Sequence, residues 1–425
     1  MKKRDVLGIL VLILAGIMYN FYIKNGEVVF FDGCSMSSKK LTQKKHQNVF
    51  VEKIIHYPEA KDIKQITIDN PAGDIVIVKS KEGSVSIEPI IKVFHKNRER
   101  AKKIVKQIKI IPRKTEKKIA INIETDKEFP YRRVRLGFKC QVPQDIELDI
   151  RNRYGNIDIE NVGKKISIDQ YKGDLFIKNI DSNLKVKSHH GLVRIYNIGD
   201  VVELSSNFSR VKIRNVPLLK LKCSQAKVWI DQVEDTIDTT YAGYSSIVIS
   251  DAGKLKINAR HTRLKLKNIK DYIEIKNSHA YINMENILGD INIKSRECNI
   301  VLNKISIDNL FINNSYNDID INDISCKNID ITLDHGDLNL TLKKIQEGII
   351  AKTRHAEVVF NYPTDLNLFF DINSNNGKII NRTSTNFTIT QKDQKYILKT
   401  NEGLPKIDIS SDYGDITLRN YYPNK

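Results

Sequence analysis

Cysteine is scarce and unpatterned in this chain of 425 residues: Cys34, Cys140, Cys223, Cys298 and Cys326 form no C-x-x-C pair and keep no regular spacing. An odd, irregular set argues against a disulfide framework and against a zinc site. The phosphate-binding loop G-x-x-x-x-G-K-[ST], the nucleophile elbow G-x-S-x-G, the zincin H-E-x-x-H and the dinucleotide fingerprint G-x-G-x-x-G are all missing. The common nucleotide, hydrolase and metalloprotease readings therefore have no foothold. No aromatic stacking platform accompanies the basic residues, which disfavours nucleic acid as a partner. The 3.6-residue apolar period is confined to one short stretch, so a helical solenoid is excluded.

What the chain has in abundance is repetition. Thirteen times between Tyr154 and Ile380 a Tyr, His or small polar residue is followed by two turn residues and then apolar-x-apolar, with a period of about 18 residues. Pairs such as Ile157/Ile159, Leu175/Ile177, Val193/Ile195 and Val211/Ile213 alternate with period two, the mark of a half-buried strand. About ten residues later a second pair follows, as in Ile166/Ile168, Leu184/Val186 and Ile273/Ile275. Between the pairs stands one more apolar residue, usually after Asn or Asp, such as Val162, Ile180 or Ile198. Each repeat thus supplies two strands and a corner. One repeat cannot bury a core, but stacked rungs pair strand on strand at roughly 4.8 Å and share one aliphatic interior.

The expected fold is all-β: a parallel β-solenoid with two-strand rungs over residues 143–425, closed by a C-terminal cap. The final segment from Tyr413 to Tyr421 reads as the terminal, capping rung because Pro423 and the charge of Lys425 follow it. The outward residues between the paired apolar positions, Asp158, Phe176, Arg194, Lys212, Trp229, Val248, Lys265 and onward, share no common chemistry. No single column is set aside for catalysis.

Charge divides the chain. Residues 41–140 hold 24 Lys and Arg against 12 Asp and Glu, whereas residues 141–425 hold 39 against 36. The basic part, residues 49–142, reads as a β-rich module with strands around Ile66–Ile68, Ile75–Val78, Val85–Ile87, Ile119–Ile123 and Val134–Leu136. Within it Ala101, Ile104, Val105 and Ile108 fall at i, i+3, i+4 and i+7, which predicts a short amphipathic helix over 96–108. Its other faces carry Lys96, Arg98, Arg100, Lys102, Lys103 and Lys106. These six are the candidate contact with an anionic surface, either lipid head groups or an anionic wall polymer, against the plainer reading of a solvated helix face.

At the N-terminus Lys2, Lys3 and Arg4 precede an apolar stretch over residues 6–23, broken only by Asn20. At about 1.5 Å per residue it spans roughly 27 Å, enough for a bilayer core. No small-x-small cleavage site follows. Residues 1–24 are thus expected to be an uncleaved signal anchor, joined by a linker over 25–48, with the solenoid on the extracytoplasmic side of the cell membrane. Cys34 lies too far beyond the apolar run to favour lipidation.

Two constellations invite chemistry. His190, His261, His279, His335 and His355 recur at the opening of the phrase, but Tyr154, Phe208, Tyr244, Tyr316 and Tyr413 occupy the same slot. A stacked ladder of planar groups fits that column better than a zinc site. Asp318, Asp320, Asp323, Asp334 and Asp337 gather acidic groups over two rungs, where calcium-binding or glycan-cleaving carboxylates could sit; turn formation accounts for most of them.

The repeated units Gly155-Asn156-Ile157-Asp158-Ile159, Gly173-Asp174-Leu175-Phe176-Ile177, Gly336-Asp337-Leu338-Asn339-Leu340 and Gly414-Asp415-Ile416-Thr417-Leu418, with Gly73-Asp74-Ile75-Val76-Ile77 ahead of the helix, resemble the bacterial putative-adhesin β-strand-repeat family. The resemblance runs from about residue 50 to the end. It implies a β-solenoid of uncharacterised activity and brings no catalytic residues. The middle rungs depart from it, with Ser209, Ala226, Ser245, Thr262 and Ala280 in place of glycine. Together these features predict a non-enzymatic, membrane-anchored binding or adhesin-like scaffold without cofactors, whose partner is an anionic wall polymer, lipid head groups, a glycan or an envelope protein. The alternatives are a β-helix polysaccharide lyase or hydrolase, and a filament-forming structural protein.

Overall fold

The computed structural model describes residues 47–51, 55–57, 62–81, 83–125 and 133–423. Residues 1–46, with the expected signal anchor over 1–24, most of the expected linker and Cys34, lie outside the described residues. Among the described residues no helix is long and apolar enough to cross a membrane.

The architecture is a parallel β-solenoid. Two ladders run its length, and almost every pairing within them joins residues about one repeat apart. In the first ladder Ile157 stands on Leu175, Leu175 on Val193, Val193 on Val211 and Val211 on Val228, all parallel and in register. In the second Leu148, Ile166, Leu184, Val202 and Leu219 do the same. The paired apolar residues of both ladders point inward and are buried almost completely: Ile159, Ile177, Ile195, Leu266, Ile275 and Ile321 are all 0% exposed. One continuous aliphatic cluster extends from Ile63 to Leu418. Strand alternation, corner residue and core are therefore one pattern, since every second side chain of a pleated strand faces the same way.

Both corners are built from residues with positive φ. At the corner between the two ladders Asn161, Asn179, Asn197 and Asn215 adopt φ of 58°, 55°, 55° and 57°. Asparagine tolerates the left-handed region better than most residues because its short amide can bond locally. Here the amides bond to each other instead: Asn179 Nδ2 donates to Asn161 Oδ1 at 2.8 Å, Asn197 to Asn179 at 2.9 Å and Asn215 to Asn197 at 3.0 Å. At the opposite corner the phrase opens. Gly173 has φ of 148°, and a Cβ there would lie 1.9 Å from the carbonyl oxygen of Gly155 on the adjoining rung. In the middle rungs the left-handed step moves one residue upstream, to Phe208, Gln225, Tyr244, His261 and His279, with φ between 49° and 54°. Ser209, Ala226, Ser245, Thr262 and Ala280 are thereby freed from the conformation that requires glycine.

A buried polar column lines this second corner. Asn152 Nδ2 donates to the carbonyls of Gly73 and Gly155, both at 3.1 Å, and Gln170 Nε2 donates to Gly155 O at 2.7 Å. Asn314 Nδ2 serves Cys298 O at 2.9 Å, Tyr316 O at 2.8 Å and Asn317 O at 3.2 Å. Turn carbonyls that the ladder leaves short of donors are satisfied from inside the core, as buried backbone acceptors require.

The ends depart from chain order. Residues 65–70 sit between 118–121 and 147–152, and residues 75–79 sit between 138–142 and 157–160, so the earliest rung is the second one from that end of the stack. The other end repeats the device: 406–412 lies between 348–354 and 369–375, and 416–419 between 358–361 and 379–382. The segment expected to be the terminal rung is therefore interior. Its inward residues Ile416 and Leu418, with Ile407 and Ile409 on the strand before it, are as apolar as those of any rung, and burying them on both sides favours insertion. Antiparallel strands finish both ends: Ile108–Lys114 on Lys118–Thr125, Val85–Phe94 on Val134–Val142, and Lys395–Lys399 on Phe369–Asn375.

Candidate binding surfaces

The one described helix, α1 (Arg98–Lys106), is capped by Asn97, whose Oδ1 accepts from the Arg100 amide at 3.0 Å. It is shorter than the expected 96–108 because Ile108 already belongs to the next strand. Ala101, Val105 and Ile108 pack on Ile91, Val93, Val134 and Leu136 in a small satellite cluster. All six candidate residues, Lys96, Arg98, Arg100, Lys102, Lys103 and Lys106, are exposed. Lys102 bonds Glu99 at 2.9 Å, and that contact, chiefly its hydrogen bond, holds the Glu99 carboxyl below its usual range. Lys103 and Lys106 fall in the last turn, where cations complement the helix dipole.

Among the described residues the ring column forms one stacked pair, His190 on Phe208 with centroids 5.2 Å apart, and two longer stacked runs. Tyr244, His261 and His279 have centroids 4.6 and 4.8 Å apart, and Tyr316, His335, His355 and Tyr413 follow at 5.0, 4.8 and 4.8 Å. Tyr413 joins His355 because its rung is inserted there. The first run ends on a carboxylate, with His279 Nδ1 2.6 Å from Glu297 Oε2. Ring faces inside the runs are taken by neighbouring rings, so the ladder offers solvent mainly edges.

The five aspartates serve the scaffold. Asp318 accepts from the Asp337 amide at 3.0 Å, and Asp337 accepts from the Glu357 amide at 3.1 Å, continuing a column in which Asn156 and Asp174 do likewise for the rungs beside them. Asp320 accepts from Asn339 Nδ2 at 2.8 Å, Asp323 faces Lys343 at 3.5 Å, and Asp334 receives two bonds of 2.7 Å from Arg354. The Arg354 bonds hold the Asp334 carboxyl below its usual range. Among the described residues no group of three or more His, Cys, Asp or Glu is placed to hold a metal ion. Cys140, Cys223, Cys298 and Cys326 are buried free thiols, and burial pushes Cys140 and Cys326 up to about 12.

A shallow groove of about 660 Å³ crosses the outward face of the second ladder between Gln65 and Lys220. Near one end of it, Glu203 is neutralised by Lys185 at 3.5 Å and Lys220 at 3.6 Å. No deep cleft with converging acid and base has been built there.

Sequence reasoning missed the buried polar column and the arrangement of charge across neighbouring columns. The first had a signal, since Asn152, Gln170, Asn277 and Asn314 each continue the inward alternation two residues past an apolar pair.

A parallel solenoid whose functional candidates are ladders and exposed charged faces defines a scaffold class. The profile of the Toastrack DUF4097 family matches residues 63–419, and the chain belongs to that family. Among solved structures it is similar to a putative cell adhesion protein from Clostridium sporogenes, at 8% identity over 88% of this chain and 100% of that one, with a TM-score of 0.18. A putative adhesin from Bacteroides fragilis matches at 10% identity over 89% and 98%, also with a TM-score of 0.18. No curated protein matches.

Proposed function

We propose that this protein is a non-enzymatic scaffold, anchored in the cell membrane by residues 1–24, that holds its solenoid on the extracytoplasmic side and acts by binding. The observation that carries the reading is the division of labour among side chains. Inward residues form the core, the corner columns bond from rung to rung, and the outward residues of both ladders remain to vary. Such a surface suits an extended partner that touches several rungs. The exposed basic face of α1 is its proposed contact with anionic lipid head groups or wall polymer. The antiparallel strands at both ends of the stack disfavour end-to-end growth into filaments, because they interrupt the parallel edge that another copy would extend.

Proteinase treatment of intact cells tests the placement. Digestion of the solenoid without lysis is expected; full protection until the cells are opened overturns the extracytoplasmic assignment. Retention of the full-length protein by envelope material is expected to fall when Arg98, Arg100, Lys103 and Lys106 are changed together to Gln. Unchanged retention removes α1 from the contact.

A further inference from the structure

The outward face of the first ladder carries a local concentration of cations that single columns do not reveal. Three adjacent columns over six successive rungs read Leu192, Arg210, Lys227, Ser246, Arg263 and Tyr281; then Arg194, Lys212, Trp229, Val248, Lys265 and Asn283; then Tyr196, Arg214, Asp231, Ser250, Lys267 and Glu285. Eight of these residues are Lys or Arg and two are acidic. Arg214 is paired with Asp231 at 3.1 Å and Lys267 with Glu285 at 3.5 Å. The other six, Arg194, Arg210, Lys212, Lys227, Arg263 and Lys265, are in no ion pair among the described residues, and all but the half-buried Arg194 are exposed.

Like charges meet directly across the ladder here, Arg194 on Lys212 and Arg210 on Lys227. Such neighbours are unfavourable in a sheet unless something neutralises them. The rest of the face shows that the protein can avoid this: the same columns carry Asp158, Glu160 and Asp174, with one Lys178, on one side, and Asp318, Asp320 and Asp337 on the other. At about 4.8 Å per rung the basic strip is roughly 24 Å long, bounded by acid at both ends. Near its middle lies Trp229, the sole tryptophan of the chain, half-buried between Lys212 and Val248 in its column.

We infer that this strip is a binding site for an acidic linear polysaccharide, one whose sugars carry carboxylates; the inference rests on the binding role proposed above and gives it a ligand class and a place. The geometry favours a narrow chain. Carboxylates suit the planar forks of Arg194, Arg210 and Arg263, which donate two parallel bonds to the two carboxylate oxygens. Trp229 supplies a flat apolar patch for a sugar ring, and among the described residues no neighbouring ring stacks on it as rings do in the His and Tyr ladder. An anionic lipid plane would meet the acidic flanks together with the strip. A nucleic acid would bring bases that need several aromatic faces, where the strip offers Trp229 with Tyr196 and Tyr281 at its margins.

The solitary tryptophan makes the test site-specific. Emission of Trp229 in the full-length protein would be titrated with polygalacturonate, its methyl ester, single-stranded DNA and phosphatidylglycerol vesicles. Polygalacturonate is expected to shift the emission, with an affinity that falls as salt rises. It should weaken by about tenfold or more in the triple variant Arg210→Gln/Lys212→Gln/Lys265→Gln, and stay unchanged in Lys254→Gln/Lys256→Gln/Lys276→Gln on the other ladder. A circular-dichroism melt shows whether the triple variant folds; if it does not, Lys212→Gln alone carries the comparison. An unmoved tryptophan, an equal response to the uncharged ester, equal losses in both triple variants, or a tighter response to DNA or vesicles overturns the proposal. If envelope material still retains the wild-type protein while polygalacturonate leaves Trp229 unmoved, the strip falls and the scaffold reading stands.

Discussion

Replacing Asn314 tests whether the buried polar column holds the corner together. Its amide nitrogen faces three carbonyl oxygens, of Cys298, Tyr316 and Asn317, and its Oδ1 accepts from Ser295 Oγ at 2.7 Å. An amide has two hydrogens, so about two full hydrogen bonds are made to the three carbonyls and a third from the serine. Asn314 is 1% exposed, so water does not replace these bonds freely. Asn314→Ala should therefore cost about 2–4 kcal/mol. Asn314→Asp keeps the shape but aims a second oxygen at the carbonyls, so at neutral pH it should cost at least about 1 kcal/mol more than alanine. Burial raises the new carboxyl above its unfolded value of about 3.9, so the protonated form is the one the fold favours. Stability in the aspartate variant is then fullest below that value and is lost as pH rises through the folded pKa. Urea unfolding followed by circular dichroism from pH 4 to 8, with amide exchange at Tyr316 and Asn317 as the local probe, would separate the variants. An aspartate variant that unfolds like wild type at pH 7, or that resists urea better than the alanine variant there, would refute the role given to this column.

Two further predictions concern the rungs. Gly173→Ala combines a φ that favours glycine with a contact of 1.9 Å to a neighbouring backbone oxygen, whereas Gly83→Ala meets nothing within 4 Å at φ 67°. Thermal unfolding should show a loss of about 3 kcal/mol or more for the first and about 1 kcal/mol for the second; equal losses would contradict the rung-to-rung packing. Asp158 sits in its column between Val76 and Phe176, and desolvation, with help from Glu160, raises its pKa. Because a raised carboxyl loses stability as pH climbs through its folded pKa, Asp158→Asn should stabilise the protein at pH 7 and make no difference below about pH 4. A stabilisation that persists undiminished into acid would mean that the desolvated charge is not its cause.

The repeating part of the fold was legible because its core depends on two local signals, the apolar pair and the corner residue, which recur at a fixed distance. Asn161, Asn179 and Asn197 were visible too, as the residues before Val162, Ile180 and Ile198, although their left-handed conformation was not. The ends were illegible for a topological reason. Residues 65–79 stack next to 147–160, and residues 406–421 lie between 348–363 and 369–382; such insertions leave no period in the chain. Five of the six basic candidates lie on α1 and Lys96 just ahead of its cap; all were found in order along the sequence, and all six are exposed. The cationic strip escaped notice because its members are spread over residues 194–267 and over three columns, so that reading down the column of Lys212 and Trp229 shows mixed chemistry.

The inserted rungs at the two ends govern how this stack can come apart and how it can grow. Neither inserted rung can peel away alone, since each is gripped on both sides, so its release has to disrupt an outer rung and its antiparallel cover at the same moment. The middle carries no such interlock. Gain or loss of an 18-residue unit between Gly173 and Asp318 would leave both closures untouched, which makes rod length, and with it the number of charges presented in a row, a property that evolution can adjust one layer at a time.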